Sequence, residues 1–375
     1  MNPHPLFAIA GCGAHSAAGS SAGQSAASLQ AQSRCTQRRA TPWQAEAVSL
    51  APCPSLDKQS SGAQRLLDLL APALAEALPP ALQMEIRQTA ARAGGTDMQV
   101  YALLLLPDWL APEHSAEMHT IWLDCLRASL PGLHISAHCL QRGAIAPWEA
   151  LQFCQQQTQQ HPRTAYTILA GVDSWCEPSR IGFAVHHHLL LCKGNQEGFI
   201  GGEAGAAVVL QTVARDIQGQ RLGWPAPQAG RFLLHPAAAD YASHGFWPHG
   251  NASQRAAGMR QLRHTLAQAL AQAGMQAQHL SHLASDMDGS VWRAEIEGDA
   301  LNQVLTQGQG AAHSRPPHLQ IAGMLGQTGC AGGLLLWSML PHLQRLQNIN
   351  SVLHWTLAPG GQSAACVIER VTGSD

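Results

Sequence analysis

The chain has 375 residues, of which 46% are hydrophobic and only 12% are charged, so it can bury a core large enough for two domain-sized units. Its 22 Lys and Arg and 24 Asp and Glu give a formal net charge of −2, which excludes a basic field for nucleic acid or an anionic membrane surface. The longest aliphatic run, residues 102–106, is too short to cross a bilayer, so no membrane insertion is expected.

The N-terminus lacks a basic segment ahead of an apolar run, which argues against a secretory signal. The ten cysteines occur singly, without CxxC pairs, inside apolar segments. This usage is typical of small buried side chains in a reducing compartment. We therefore expect a cytoplasmic protein without a disulfide framework.

In the first half, apolar runs predict buried strands and apolar positions at helical spacing predict helices. The expected strands are residues 7–13, 100–106, 133–137, 165–170 and 206–211, and the expected helices are 23–32, 64–78, 116–130 and a segment from about 147. Residues 34–62 are rich in Gln, Ser, Pro and Arg and show little periodicity, so they are predicted to cross the surface without regular structure.

The second half repeats this alternation. A helix with apolar positions between 259 and 270 is expected to end at Gly274, followed by a strand at 282–285, a glycine-rich turn at 323–329 opening a helix to about 346, and a hairpin formed by 355–357 and 364–369. Alternating strands and helices predict mostly parallel sheets covered by helices on both faces.

The glycine-rich motifs carry a resemblance to a known family. Residues 170–174 (AGVDS) and 198–210 (GFIGGEAGAAVVL) resemble the middle of a β-ketoacyl synthase, in which a GGVDS-type turn precedes GFxPGEGAAAxVL. Residues 9–19 resemble that family's opening strand and turn, 326–332 its GHTxGAAG loop, and 360–364 its closing hairpin. Because the motifs occur in the family's order, the chain resembles ketosynthases of the thiolase superfamily over nearly its whole length.

The resemblance implies an α/β thiolase-like fold with duplicated βαβ halves in a layered αβαβα arrangement, the halves being residues 1–215 and 216–375. It also implies a homodimer, or a heterodimer with an active ketosynthase, and an acyl carrier protein as a further partner. No cofactor is expected. The Gly11 and Gly13 turn resembles a dinucleotide fingerprint, but no acidic residue follows about twenty positions later, where such a site needs one.

Ketosynthase chemistry needs a cysteine at a strand-to-helix elbow, which takes the acyl chain, and two histidines, which stabilise the enolate formed on decarboxylation. The resemblance places Asp288 in the first histidine position and Gln327 in the second. A carboxylate at Asp288 is expected to repel a developing enolate, whereas the amide of Gln327 can still donate one neutral hydrogen bond. Alternatively, both are polar turn residues that cap the helices after them.

Two residues compete for the nucleophile position. Residues 134–139 (HISAHC) resemble the family's ISSAC motif, which would make Cys139 the attacking thiol. Counting back from the following helix leads instead to Ala144, and Pro147 favours this alternative because proline is tolerated only in the first turn of a helix. In the second alignment, the nucleophile is missing.

His134, His138 and Cys139 lie close enough in the sequence to suggest a metal site. Three candidate ligands on one strand, without a fourth, are more typical of packing, so no metal is expected.

The family's closing hairpin lines its active site, so the resemblance assigns substrate contacts to Leu357, Gly360 and Gly361. Leu357, or the alanine after it, occupies the family's gating phenylalanine position, which would leave more room there. Trp175 and Trp292 are expected to be core or interface aromatics and not a ligand platform.

These residues support one main functional hypothesis and two alternatives. The main hypothesis is a ketosynthase-like protein with a degenerate active site, a non-condensing partner or chain-length subunit in fatty acid, polyketide or polyene biosynthesis. The first alternative is an acyltransferase or 3-oxoacyl synthase that uses Cys139. The second is a non-enzymatic adaptor on the same scaffold, which the fold alone does not exclude.

Overall fold

A computed structural model describes residues 6–57, 59–92, 98–161, 164–213, 231–241, 251–306, 315–358 and 360–371. Its strands are β1 (Leu6–Ser16), β2 (Gln37–Thr41), β3 (Gln44–Ala51), β4 (Gln99–Leu106), β5 (His134–Gln141), β6 (Tyr166–Ser174), β7 (Gly201–Val213), β8 (Phe232–Leu234), β9 (Ala238–Asp240), β10 (His282–Ser285), β11 (His318–Gln320), β12 (Ser351–Leu357) and β13 (Ser363–Arg370). Its α-helices are α1 (Ala22–Gln30), α2 (Gly62–Ala77), α3 (Pro80–Arg92), α4 (Pro112–Ser129), α5 (Ala146–Gln160), α6 (Pro178–His186), α7 (Ala252–Ala273), α8 (Val291–Thr306), α9 (Ala322–Leu325) and α10 (Gly332–Gln347).

The main strands form one hydrogen-bonded path in the order β11-β10-β12-β13-β8-β1-β7-β6-β4-β5. Strands β4, β5 and β6 pair in parallel, as do β10, β11 and β12. The pairs β1–β7, β6–β7, β12–β13, β1–β8 and β8–β13 are antiparallel. The prediction of mostly parallel sheets is therefore wrong: the sheet is mixed, because each half ends in a long strand that runs back beside its neighbour.

Helices and strands alternate in layers. Helices α2 and α4 pack on one face of the first-half strands; α7 packs on the second-half strands, and α8 packs on α7 and shares their core. Between the two groups of strands lie α5, which contacts β4, β6 and β13, and α10, which contacts β1 and β7. This is the predicted αβαβα arrangement, in which each middle-layer helix buries two faces.

Aromatic contacts join the middle layer to the second-half strands. The rings of Trp148 on α5 and Trp337 on α10 meet edge to face with centroids 6.1 Å apart. Trp337 donates through Nε1 to Nδ1 of His354 on β12, at 3.0 Å. All three side chains are buried, so this contact fixes both middle helices against β12.

Glycines allow α2 to lie directly on β1 and β7. A Cβ at Gly13 would lie 2.1 Å from the carbonyl oxygen of Ala73, and one at Gly205 would lie 2.2 Å from that of Leu69. Real Cβ atoms do not approach oxygen so closely, so a larger residue at either position would displace the helix backbone. The glycines of the first and central sequence motifs are thus explained by helix–sheet contact.

The glutamate of the GGEAG motif carries a buried ion pair. Glu203 on β7 accepts from Nε (2.8 Å) and Nη2 (2.7 Å) of Arg65 on α2. It also accepts from the backbone N–H of Cys53, at 2.8 Å, and from the hydroxyl of Ser174, at 2.6 Å. Because both carboxylate oxygens are satisfied, the charge can remain buried.

Several elements differ from the sequence predictions. Residues 34–62 include the hairpin β2–β3, and β3 pairs in parallel with β7 at Leu50 and Gly201. Buried Val48 and Leu50 alternate with less buried residues there, but the run is too short and polar to stand out in the sequence. Strand β5 extends to Gln141, four residues beyond its predicted end at 137.

The predicted C-terminal cap at Gly274 is confirmed: its φ is +62°, in the left-handed region. The predicted boundary between halves at residues 215 and 216 lies outside the described residues, so it stays a prediction. Of the helices described, none combines the length and the apolar character that a membrane span requires.

Candidate active site

A cavity of about 450 Å³ opens where the two halves meet. Its lining includes four of the predicted site residues, namely Ala144, Asp288, Gln327 and Gly360. These residues come from the start of α5, the segment before α8, the turn after α9 and the β12–β13 hairpin, so tertiary structure brings together positions far apart in the sequence.

Ala144 lies at an elbow between β5 and α5. Gly143 has a φ of +57°, and residues Gly143–Ile145 form a short 3-10 turn that runs into α5 at Ala146. The left-handed glycine turns the chain sharply from strand to helix. The methyl group of Ala144 has no nucleophilic or proton-donating atom.

Cys139 lies elsewhere, within β5. Its Sγ is 3.6 Å from the hydroxyl of Ser115 on α4, and it lines a separate open depression with His119 and His138. Burial raises the pKa of the Cys139 thiol, so the nucleophilic thiolate is disfavoured. Cys139 is not among the described residues that line the cavity.

The neighbouring histidine of β5 is engaged in packing. His138 lies 3.1 Å from the hydroxyl of Ser136, and its ring meets Phe153 with centroids 5.0 Å apart. Among the residues that the structure describes, no group of three His, Cys, Asp or Glu side chains is placed to hold a metal.

Asp288 does not present a free carboxylate to the cavity. Its Oδ1 accepts from the N–H (3.0 Å) and the hydroxyl (2.7 Å) of Ser290, and its Oδ2 accepts from Nη1 of Arg293 at 3.1 Å. The expected repulsion of an enolate therefore needs correction, because the guanidinium offsets the carboxylate charge. Asp288 still cannot replace a histidine as hydrogen-bond donor while it is ionised.

Arg293 is the centre of a buried ionic cluster at the start of α8. It donates to Asp286 as well as to Asp288, and its Nε lies 3.6 Å from Oε1 of Glu297, beyond hydrogen-bond distance. Glu297 is completely buried, and desolvation raises its pKa to about 8. At neutral pH, Glu297 is therefore mostly protonated, which limits the negative charge around a single arginine.

Gln327 is held at the cavity by its backbone. Its N–H donates to the carbonyl of Ile200 at 2.7 Å, and its carbonyl accepts from Gly202 at 3.0 Å. A Cβ at Gly202 would lie 2.4 Å from the carbonyl oxygen of Leu325, so the GGEAG motif also makes room for this turn. The Gln327 side chain contributes a neutral amide to the cavity lining.

Fewer of the predicted residues of the β12–β13 hairpin line the cavity than expected. Gly360 and Ala358 line the cavity, whereas Leu357 is completely buried among the core residues of β12, β13 and α7. Gly361 has a φ of +85°, and its carbonyl accepts from Gln261 at 2.7 Å. Neither Leu357 nor Gly361 is among the described lining residues, so of the two residues suggested for the gate only Ala358 lines the cavity.

Sequence reasoning missed the aromatic and charged residues of the opposite wall. Trp175 and Trp292 line the cavity, although they were interpreted as core or interface aromatics. Asp173 and Arg180 line it as well, and burial raises the pKa of Asp173 to about 6. The aspartate of the AGVDS motif was the available signal, since this motif ends β6 at the cavity.

The thiol of Cys330, in the glycine-rich loop at residues 326–332, does not reach the cavity. Cys330 is completely buried, and its Sγ lies 3.1 Å from the carbonyl oxygen of Val172. Burial and the charge of Asp173 raise its pKa well above the usual thiol range. Cys330 is therefore a packing residue.

Comparison with solved structures confirms the fold. A type II polyketide synthase acyl-carrier protein in complex with its ketosynthase gives a TM-score of 0.70 at 11% identity, covering 98% of this chain and 100% of that one. The ishigamide ketosynthase/chain length factor gives 0.68 at 13% identity, covering 98% and 99%. A ketosynthase in complex with its chain length factor from Xenorhabdus doucetiae gives 0.67 at 15% identity, covering 98% of both chains.

These similarities place the chain in the thiolase-like fold that ketosynthases share. No protein-family model matches the sequence, and no curated protein matches it.

Proposed function

We propose that this chain is a non-condensing, ketosynthase-like subunit that acts beside an active ketosynthase in acyl-carrier-protein-dependent chain building. The observation that carries the proposal is the elbow: the cavity is retained, but Ala144 stands where the attacking thiol would be required. No cysteine is found among the described residues that line the cavity.

The groups that would stabilise an enolate are also replaced. Asp288 is bound to Ser290 and Arg293, and Gln327 offers one neutral donor. Oxyanion stabilisation depends on preorganised donors aimed at the developing charge, and removing one such donor costs roughly 10²–10³ in kcat. With the nucleophile and both imidazoles absent, decarboxylative condensation has no route here.

Cys139 supports the acyltransferase alternative poorly. Its thiol lies in the depression beside Ser115, has a raised pKa, and is separated from Asp288 and Gln327, which line the other cavity. An acyl group on Cys139 would meet none of the residues at the elbow.

The partner surface that we propose is the free edge of β5. Among the strands that the structure describes, β5 lies at the end of the sheet and pairs with β4 alone. Its residues are half-buried or exposed, whereas β6 and β7 are buried throughout. An eight-residue edge strand with unpaired backbone groups can pair with another chain. The solved structures with a similar fold include ketosynthases bound to chain length factors, which is consistent with such a pairing.

The test is co-expression with a ketosynthase from the same genome that has an intact Cys-His-His set, together with its acyl carrier protein. We expect the two chains to co-purify, the pair to make a defined chain-length product, and this chain alone to make none. Replacing it with an unrelated ketosynthase-like subunit should change the product length.

An edge variant tests the surface. His138→Lys places a charge on the exposed side of β5 and should abolish co-purification, because an interface would have to desolvate it. Met84→Lys, on α3 with 53% exposure, is the control and should leave assembly intact. Condensation by the chain alone, or no assembly with any ketosynthase, would overturn the proposal; assembly with itself alone would favour a homodimer.

A further inference from the structure

One cation in the cavity is surrounded by aromatic rings. The guanidinium carbon of Arg180, in the first turn of α6, lies 3.9 Å from the ring centroid of Trp175, 5.1 Å from that of Phe183 and 5.4 Å from that of Trp109. These four residues, the Arg180 cradle, all line the cavity. Stacking on aromatic faces holds a guanidinium in place while leaving its N–H edge available.

The hydrogen-bonding capacity of Arg180 is unmet. Its guanidinium donates no hydrogen bond to any residue that the structure describes, and Nε is buried without an acceptor. A guanidinium has five N–H donors and stays protonated in proteins. Because a buried donor without an acceptor is unfavourable, Nε favours an acceptor brought by a ligand.

The buried carboxylate beside it is already satisfied. Asp173 accepts from Trp109 Nε1 at 3.1 Å, from the N–H of Ser174 at 2.8 Å and from that of Cys330 at 3.3 Å. The cavity's other acidic residues near this wall, Asp108 and Glu197, are exposed to water. The carboxylate of Asp173 is therefore engaged elsewhere, whereas Nε of Arg180 is buried without an acceptor among the described residues.

We propose that Arg180 binds the carboxylate of a ligand with an aliphatic chain, such as a fatty acid, held non-covalently in this cavity. The inference deepens the proposed function and rests on it in one respect, namely that the cavity binds a chain without forming a covalent bond to it.

A monoanion fits better than a phosphate. Asp173 and Asp108 lie close enough to act on the charge of Arg180, so the second negative charge of a phosphate would be repelled more strongly than a carboxylate. Part of the remaining wall suits an aliphatic chain, because Leu189, Phe199 and Ala358 line the same cavity. Its volume of about 450 Å³ is in the range of small-molecule sites, roughly 300–1,000 Å³.

The test is calorimetric titration of the purified full chain with octanoate, octanamide, octyl phosphate and octylamine. Octanoate should bind most tightly, and octanamide roughly tenfold or more weakly, because a charge-assisted bond is lost. Arg180→Met should weaken octanoate binding by a similar factor without affecting octanamide, and Arg180→Lys should restore part of it.

The control is Arg87→Met. Arg87 is exposed on α3 and is not among the described residues that line the cavity, so octanoate binding should change by less than about twofold. Near-ultraviolet circular dichroism checks that each variant is folded.

Tighter binding of octyl phosphate or octylamine, unchanged octanoate binding by Arg180→Met, or no binding of octanoate would overturn the inference. Since this titration needs no ketosynthase, its failure is separate from failure of the co-expression test.

Discussion

Arg293 Nη1 lies 3.1 Å from Oδ2 of Asp288, and both side chains are buried. Asp286 accepts from the same guanidinium and also from the hydroxyl of Thr356, at 2.7 Å. Asp288, which the resemblance assigns to the first histidine position, is thus part of an ionic cluster that joins the start of α8 to β10 and β12.

Arg293→Met should destabilise the protein by about 3–5 kcal/mol, because it leaves buried carboxylates without their cation. Urea unfolding followed by circular dichroism measures the loss. Arg255→Met is the matched control: its ion pair with Glu295 spans 3.6 Å with side chains 39% and 47% exposed, so it should cost at most about 1 kcal/mol. Equal losses in the two variants would contradict a stabilising role for the cluster.

Ala144→Cys should create a thiol that acyl thioesters modify. The elbow places residue 144 at the start of a helical segment, where the helix dipole favours a thiolate. Intact mass spectrometry should show a stoichiometric adduct on this variant and none on the natural chain. Condensation should still be absent, since Asp288 and Gln327 are unchanged.

The double variant Ala144→Cys, Cys139→Ala locates the adduct. It should be acylated as completely as the single variant, whereas loss of the adduct would identify Cys139 as the reactive thiol and favour the acyltransferase alternative.

Glu297 should make stability fall as pH rises. The pKa of Glu297 is about 8 in the folded protein and near the ordinary 4.5 in the unfolded protein. Between pH 4.5 and pH 8, the folded state therefore keeps a proton that the unfolded state has released. Stability from this group is fully present below about pH 4.5 and is lost towards pH 8, at up to about 1.4 kcal/mol per pH unit.

Glu297→Gln mimics the protonated side chain and should remove this part of the pH dependence. Urea unfolding of both proteins at pH 5, 6, 7 and 8 isolates it, because the rest of the cluster is the same in both. Parallel stability profiles would show that Glu297 is ionised throughout.

Gly205→Ala and Gly298→Ala should have opposite effects. At Gly205 the added methyl would lie 2.2 Å from the Leu69 carbonyl oxygen, so α2 must shift, at a cost of about 1–3 kcal/mol. At Gly298, in α8, no atom lies within 4 Å of the added methyl, and alanine should gain about 0.5–1 kcal/mol as the better helix former. Thermal unfolding compares the two; a stable Gly205→Ala would contradict the close helix–sheet contact.

The fold could be predicted from the sequence because its motifs contain residues that local packing requires. Gly13 and Gly205 are required where α2 touches the sheet, and Glu203 is required opposite Arg65. Such residues are restricted by backbone approach and buried charge, so the motifs that contain them could be recognised in the sequence. The position of Pro147 also pointed to the elbow at Gly143 and Ala144.

Tertiary structure alone decided what surrounds the site. The length of β5 separates Cys139 from the cavity, and the fold brings Arg293 to Asp288 and Arg180 to within 5.4 Å of the Trp109 ring centroid. Neither contact follows from sequence spacing, because a long side chain can reach many partners and only the packed elements select one. Sequence motifs therefore determined which fold this chain adopts, while long-range packing determined the charge and chemistry of its cavity.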